Sequence, residues 1–412
     1  MTQTYFQKGF GLRSQVRPEL EESYRSRLVD RVREQGSQLI IGDTSFFLAQ
    51  EFGFCYGVER AVEYAYETLR KFPDRRIFLT GEIIHNPLVN QELAQRGIRF
   101  LPDAASEQDP VVRYRDLGSD DVVVVPAFGV PRADLEALEV TGCTVVDTTC
   151  GSVLNVWKNV ERYSSIGVTS VIHGKHEHEE TRATFSRTTF HQDAQYLVVR
   201  NKDEARHVCD YIVNGGDRGE FLHRFEHAVS EGFDPERHLD RVGLANQTTM
   251  LSAESLEVSD MFRKALIDRH GESGLPDRFI AFDTICSATQ DRQDAVRAMR
   301  RLDLDLMVVI GGYNSSNTYN LARIAATFTR AFYVQAPSSF VSAEEIRHKL
   351  PGDEAETRTR GWLGSGPLRI GLTAGASTPD SQIGEAIERI VDFRDTIGPS
   401  QLKEFIYAGS ES

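Results

Sequence analysis

The chain has 412 residues, 40% hydrophobic and 26% charged, the profile of an ordinary soluble protein long enough for two or three domains. A formal charge of −14 argues against non-specific nucleic-acid binding, which wants a basic face, and apolar runs such as "LDLMVVI" are too short to span a bilayer. The opening "MTQTYFQKGFGLR" has no apolar leader, and the five cysteines suit cytoplasmic metal or redox chemistry better than a disulfide framework.

Residues 1–45 read as an N-terminal extension with a helical pattern near "PELEESYRSRLVDRVREQ". Strand-like runs then alternate with helix-like ones. The runs are "RRIFLTGEII", "DDVVVVPAFG", "TSVIHG", "QYLVVRN", "DLMVVIGG", "RAFYVQA" and "LRIGLTAG". Such alternation predicts an α/β fold of parallel sheets covered on both faces. The stretch "YIVNGGDRGEFLHRFEHAVSEGFDPERH" reads as a polar insertion with a helix inside it, and the tail "YAGSES" as frayed.

Three cysteines share one context. Cys55 in "FGFCYGVERAVEYAYE", Cys150 in "VVDTTCGSVLNVWKNVERY" and Cys286 in "FDTICSATQDRQDAV" each stand between strand-like residues and an amphipathic helix. They lie 95 and 136 residues apart, room for one small αβ unit in each interval. The simplest architecture is three similar αβ domains, 46–149, 150–285 and 286–395, with a tail at 396–412 and the three junctions facing a shared centre.

A thiol at a helix N-terminus is favoured as thiolate, the form that binds metal. Four soft ligands close a structural site, whereas three leave one metal position open to a substrate oxygen. Any one of these cysteines alone is more simply a small buried hydrophobe. Cys143 and Cys209 lack the shared context and read as structural. A three-cysteine zinc hydrolase and an iron–sulfur redox sensor are the rival readings.

Other loops past apolar runs are polar. "GEIIHNP" carries His85 and Asn86, and "IHGKHEHEETRATFS" carries His173, His176, His178, Glu179 and Glu180 without an HExxH pattern. "IGGYNSSNTYN" offers Asn314, Ser315, Ser316 and Asn317, and "IGLTAGASTPDSQI" offers Ser377 and Thr378. Both suit ordinary helix capping, and the pair suits a phosphate or diphosphate cradle better. "LANQTTMLS" adds Gln247, Thr248 and Thr249.

The ordered set "GFCYGVERA", "EIIHNP", "DTTC", "HGKHEHEET", "NQTTMLS", "DTICSATQDRQ", "GGYNSSN" and "TAGASTPD", spanning residues 46 to 390, resembles the 4-hydroxy-3-methylbut-2-enyl diphosphate reductases. These end the methylerythritol phosphate route to isoprenoids. "YFQKGFG", "VCDYIV" and "SEGFDPE" resemble the longer branch of that family, which carries an N-terminal extension. The resemblance implies three αβ domains in a pseudo-threefold trefoil around one [4Fe–4S] cluster. Cys55, Cys150 and Cys286 would ligate it, leaving the fourth iron open to the substrate's allylic hydroxyl. Two electrons, from ferredoxin or flavodoxin, and two protons would then remove that hydroxyl as water, giving isopentenyl and dimethylallyl diphosphate.

By the family's His-x-Glu pair, Glu180 would be the proton donor and His178 a diphosphate ligand, with His176 the rival register. Thr248 would hold the substrate hydroxyl and relay the proton. His85, Ser315, Ser316, Asn317 and Ser377 would hold the diphosphate. Two residues depart from most of the family. Phe128 stands where a diphosphate-contacting His is usual, a change the longer branch shares, and Gly151 replaces a Pro after the second cysteine.

Overall fold

The computed structural model describes residues 4–102, 109–191, 193–282, 284–353, 355–394 and 398–407. The end of the tail read as frayed, 408–412, lies outside them. Two units emerge from the packing: residues 1–9, 72–83 and 97–286 form the first, and residues 10–71, 84–96 and 287–412 the second.

The first unit holds two all-parallel sheets. One runs β1 (Tyr5–Phe6), β7 (Thr144–Asp147), β6 (Val122–Val125), β4 (Ile77–Leu79), β5 (Arg99–Phe100). The other runs β11 (Phe279–Ala281), β10 (Val242–Asn246), β8 (Thr169–His173), β9 (Tyr196–Val199). The "VVVV" of β6 and "TSVIH" of β8 are buried along their whole length, as strands covered on both faces must be.

The polar insertion contains helices at Arg218–Arg224 and Pro235–His238. Its composition hides an aromatic anchor: Phe221, Phe225 and Phe233 are buried, with the first two rings 4.9 Å apart. Three widely spaced phenylalanines fix the segment to the core although charged residues dominate its sequence.

The second unit is built on a seven-stranded sheet. Its order is β15 (Glu356–Arg360), β14 (Glu345–Lys349), β13 (Arg330–Val334), β12 (Leu306–Ile310), β16 (Leu368–Ala374), β3 (Thr44–Leu48), β2 (Gln38–Ile41). The four strands from β13 to β3 are parallel, while the strands at both edges are antiparallel. The middle strand β12, "LMVVI", is fully buried, and the edge strand β15, "ETRTR", alternates between exposed and half-buried charged and hydroxyl residues. The helical pattern of the extension forms two helices, Arg13–Tyr24 and Arg27–Glu34, the second capped by the Ser26 side chain. Among the described residues no helix is long and apolar enough to cross a membrane.

Candidate functional site

Every candidate residue sits where a parallel strand hands over to a helix. β3 leads to Cys55 and helix Tyr56–Lys71, β7 to Cys150 and helix Gly151–Ser165, and β11 to Cys286 and helix Ser287–Met299. The loops carrying His178, Thr248, Ser315 and Ser377 follow β8, β10, β12 and β16 in the same way. The carboxyl ends of parallel strands are where α/β proteins bind ligands, because the loops there are free to vary above a rigid sheet.

In the first unit, Cys150 is half-buried at the N-cap of its helix, and its side chain makes no cap hydrogen bond. Its N–H donates to the Ala127 carbonyl at 2.8 Å. The preceding "DTT" explains the loop's shape. Asp147 Oδ1 accepts from the Thr149 amide at 2.9 Å and the Thr149 hydroxyl at 2.5 Å, while Thr148 donates to the Val125 carbonyl at 2.6 Å. The other oxygen of Asp147 accepts from the Tyr5 hydroxyl at 2.6 Å and Gln7 Nε2 at 3.2 Å. Burial and the adjacent Asp147 charge push the Tyr5 hydroxyl well above its usual range, so it stays a donor. The extension thus reaches the Cys150 loop, a tie that local sequence gives no sign of.

Cys286 is half-buried, and its N–H donates to the Thr248 carbonyl at 3.3 Å. Thr248 in turn meets Glu180: its amide lies 2.6 Å from Oε1 and its hydroxyl 3.0 Å from Oε2. Glu180 is only 3% exposed, whereas Glu179 is exposed. His178 caps the short helix Glu179–Phe185, its Nδ1 accepting from the Glu180 amide at 3.2 Å. That bond puts the proton of a neutral imidazole on Nε2. The Phe128 ring stands edge-on to His178 with centroids 6.5 Å apart, and His176 is half-buried beside Glu177 at 3.2 Å.

Gln247, read from sequence only as loop polarity, ties these loops together. Its Oε1 accepts from the Lys175 amide at 3.1 Å and the Thr181 hydroxyl at 3.3 Å, and its Nε2 donates to Thr249 at 3.0 Å. Gly174 is the signal that could have found it: a side chain there would run into Gln247 and Thr181.

In the second unit, Cys55 is half-buried with its N–H on the Ala376 carbonyl at 3.1 Å. Ser377 donates to the His85 carbonyl at 3.1 Å, and Gly312 lies so close to that carbonyl that no side chain fits at 312. Asn86 caps helix Pro87–Gln95, with Oδ1 accepting from the Leu88 and Val89 amides at 3.1 and 3.3 Å. Ser315 caps helix Ser316–Ala325, accepting from the Thr318 amide at 3.3 Å. Asn317 Oδ1 accepts from the Ala376 amide at 2.9 Å. Its Nδ2 is buried with no hydrogen-bond partner among the described residues. A buried donor left open is costly unless a ligand satisfies it, and an anionic oxygen would. Ser316 is buried on the first turn of the same helix.

The remaining cysteines differ in kind. Cys143 and Cys209 are buried, and burial raises both thiols, Cys209 to about 12. They stay protonated and make poor metal ligands. The three half-buried sulfurs at helix starts have the donor chemistry an iron–sulfur cluster requires.

The model of the LytB protein family matches residues 46–391. A 4-hydroxy-3-methylbut-2-enyl diphosphate reductase of Gloeobacter violaceus is 46% identical over 394 residues, 95% of this chain and 93% of that protein. The Synechococcus reductase of the same name is 46% identical over 393 residues, covering 95% and 96%. Of the solved structures, (E)-4-hydroxy-3-methyl-but-2-enyl diphosphate reductase, the terminal enzyme of the non-mevalonate pathway, aligns with a TM-score of 0.50 at 25% identity, covering 86% of this chain and all of that one. E-1-hydroxy-2-methyl-but-2-enyl-4-diphosphate reductase from Plasmodium falciparum shares the fold with a TM-score of 0.58 at 19% identity, covering 89% and 99%.

Proposed function

We propose that this chain, which belongs to the LytB protein family, reductively removes the allylic hydroxyl of 4-hydroxy-3-methylbut-2-enyl diphosphate, yielding isopentenyl and dimethylallyl diphosphate. The observation that carries this reading is 46% identity, over nearly the whole of both chains, to reductases of that name. Cys55, Cys150 and Cys286 would hold a [4Fe–4S] cluster, one per chain. When bound, it supplies electrons one at a time and an open metal position for the substrate oxygen.

The chain's own residues supply the rest. Hydroxide is a poor leaving group, so the oxygen must be protonated as its carbon bond breaks. Glu180 is the donor of that proton, and Thr248 fixes the carboxyl and passes the proton on. The C–O bond breaks and the protonated oxygen departs as water; two electrons reduce the allyl unit left behind, and the second proton adds to one or the other of its terminal carbons, which gives the two products. Asn317, Ser315, Ser316, Ser377, His85 and His178 hold the diphosphate, with the open Asn317 Nδ2 supporting the assignment. Phe128 gives the His178 ring an apolar neighbour in place of a second imidazole.

Electrons would come from a ferredoxin- or flavodoxin-type carrier in the cytoplasm. The three-domain division at 46–149, 150–285 and 286–395 belongs to the same reading; three separate sheets support its number, while β3 lies in the sheet of β12 and β16 and not with β4–β7. The test is anaerobic turnover of the purified, cluster-reconstituted chain with dithionite-reduced viologen. Both five-carbon diphosphates should appear, and their absence from protein that carries its cluster would overturn the reading.

A further inference from the structure

The loop from Ala49 to Cys55 is held at both ends by backbone: the Ala49 amide donates to Leu372 at 3.0 Å and the Cys55 amide to Ala376 at 3.1 Å. Between them Gly53 adopts φ +84°, in the left-handed region that favours glycine. That carbonyl meets a guanidinium. Arg292 Nη2 lies 2.8 Å and Nε 3.3 Å from the Gly53 oxygen, and Nη1 donates to the Ala288 carbonyl of its own helix at 2.8 Å. Arg292 is only 4% exposed.

Around this contact the loop has no slack. Any side chain at 53 would strike the Asp380 carboxylate. Asp380 is gripped by Arg33, with Nη1 2.5 Å from Oδ2 and Nη2 3.4 Å from Oδ1. The Arg33 guanidinium covers the Phe52 ring at 4.3 Å, and the Phe54 ring packs on Tyr24 with centroids 5.5 Å apart. Phe52 and Phe54 flank the glycine, and Cys55 lies two residues beyond it.

We propose that Arg292 is a positioning residue for Cys55: by clamping the Gly53 carbonyl with two N–H groups it fixes the loop that presents this thiol to the metal. The proposal rests on the cluster reading above. Its chemistry is specific to arginine. A rigid fork can give two bonds to one carbonyl and a third to the helix, whereas a lysine ammonium of the same charge offers no such fixed geometry.

The test is the rate at which each cysteine is alkylated by iodoacetamide, followed by mass spectrometry, in the full chain stripped of metal under anaerobic conditions. In Arg292→Gln, Cys55 should react at least about fivefold faster than in the parent, the scale of losing one such buried contact. Cys150 and Cys286 should keep their rates. Arg292→Lys should fall between parent and Arg292→Gln. Gly53→Ala, which leaves Arg292 intact but drives the loop against Asp380, should accelerate Cys55 alone. An unchanged Cys55 rate in folded Arg292→Gln, or in Arg292→Lys should the glutamine variant not fold, or equal acceleration of all three cysteines, would overturn the proposal. Failure of the parent to reduce the diphosphate would strike the functional reading and leave this labelling result standing.

Discussion

Thr248 faces Glu180 with two donors, one for each carboxylate oxygen, its amide at 2.6 Å and its hydroxyl at 3.0 Å. An amide side chain can satisfy the same pair, because Gln would turn its oxygen to the Thr248 N–H and its NH₂ to the hydroxyl. Glu180→Gln should therefore fold and bind diphosphate normally while losing its transferable proton. We expect turnover to fall by roughly 10²-fold or more, with affinity for a diphosphate inhibitor nearly unchanged. Turnover within a few-fold of the parent would remove Glu180 from the role of acid.

The hydroxyl of Thr248 can be tested apart from its amide. Thr248→Val keeps the shape and the backbone bond to Glu180 but removes one hydrogen bond and leaves a buried carboxyl oxygen unsatisfied, a loss of about 1–3 kcal/mol. Turnover should drop by about ten- to a hundredfold, while Thr248→Ser should recover most of it. Equal activity of the valine and serine variants would show that the hydroxyl takes no part.

Ser315 and Asn317 are two residues apart and should behave differently. Ser315 caps a helix, so Ser315→Ala should lower thermal stability by about 1 kcal/mol whatever it does to substrate. Asn317→Ala should weaken binding of a diphosphate inhibitor by about ten- to a hundredfold, read by calorimetry, because it removes a buried donor with no partner among the described residues. Unaltered affinity would reduce the Asn317 loop to a structural turn.

His173 gives a pH signature. It is buried with Nδ1 2.9 Å from the Ser255 hydroxyl, and desolvation lowers its pKa to about 4 from the ordinary 6.5. Because the folded pKa is the lower one, the unfolded chain binds the extra proton first. The stability is whole above about pH 6.5 and is lost as pH falls toward 4, on the order of 3 kcal/mol across that window. Urea midpoints of the metal-free chain at pH 7 and 5 should differ less in His173→Gln than in the parent. The same pH dependence in both would refute the assignment.

The strand–Cys–helix junctions, the parallel strands and the polar loops were legible because each is written in a few consecutive residues. The apolar runs "VVVV" and "LMVVI" became β6 and β12, and each of the three cysteines opens a helix. Pairings between distant segments were not legible. Thr44–Leu48 lies beside Leu368–Leu372, and Tyr5–Phe6 extends the sheet of β7, although nothing in the local sequence says which strand each one pairs with. The same limit hid the Tyr5–Asp147 tie and the Gln247 bridges, which join residues made neighbours only by sheet order. The resemblance alone assigns Glu180 and Thr248 to one substrate hydroxyl, since "HEHEE" and "NQTT" by themselves state only loop polarity, and their direct contact is visible only in the structure.

Metal analysis of the anaerobically purified chain and its cysteine variants tests the central claim most directly. The parent should contain iron and acid-labile sulfide in equal amounts with broad visible absorption. Cys55→Ser, Cys150→Ser and Cys286→Ser should each lose the cluster, while Cys143→Ser and Cys209→Ser should retain it. Zinc without sulfide in the parent, or a full cluster in Cys286→Ser, would contradict the account.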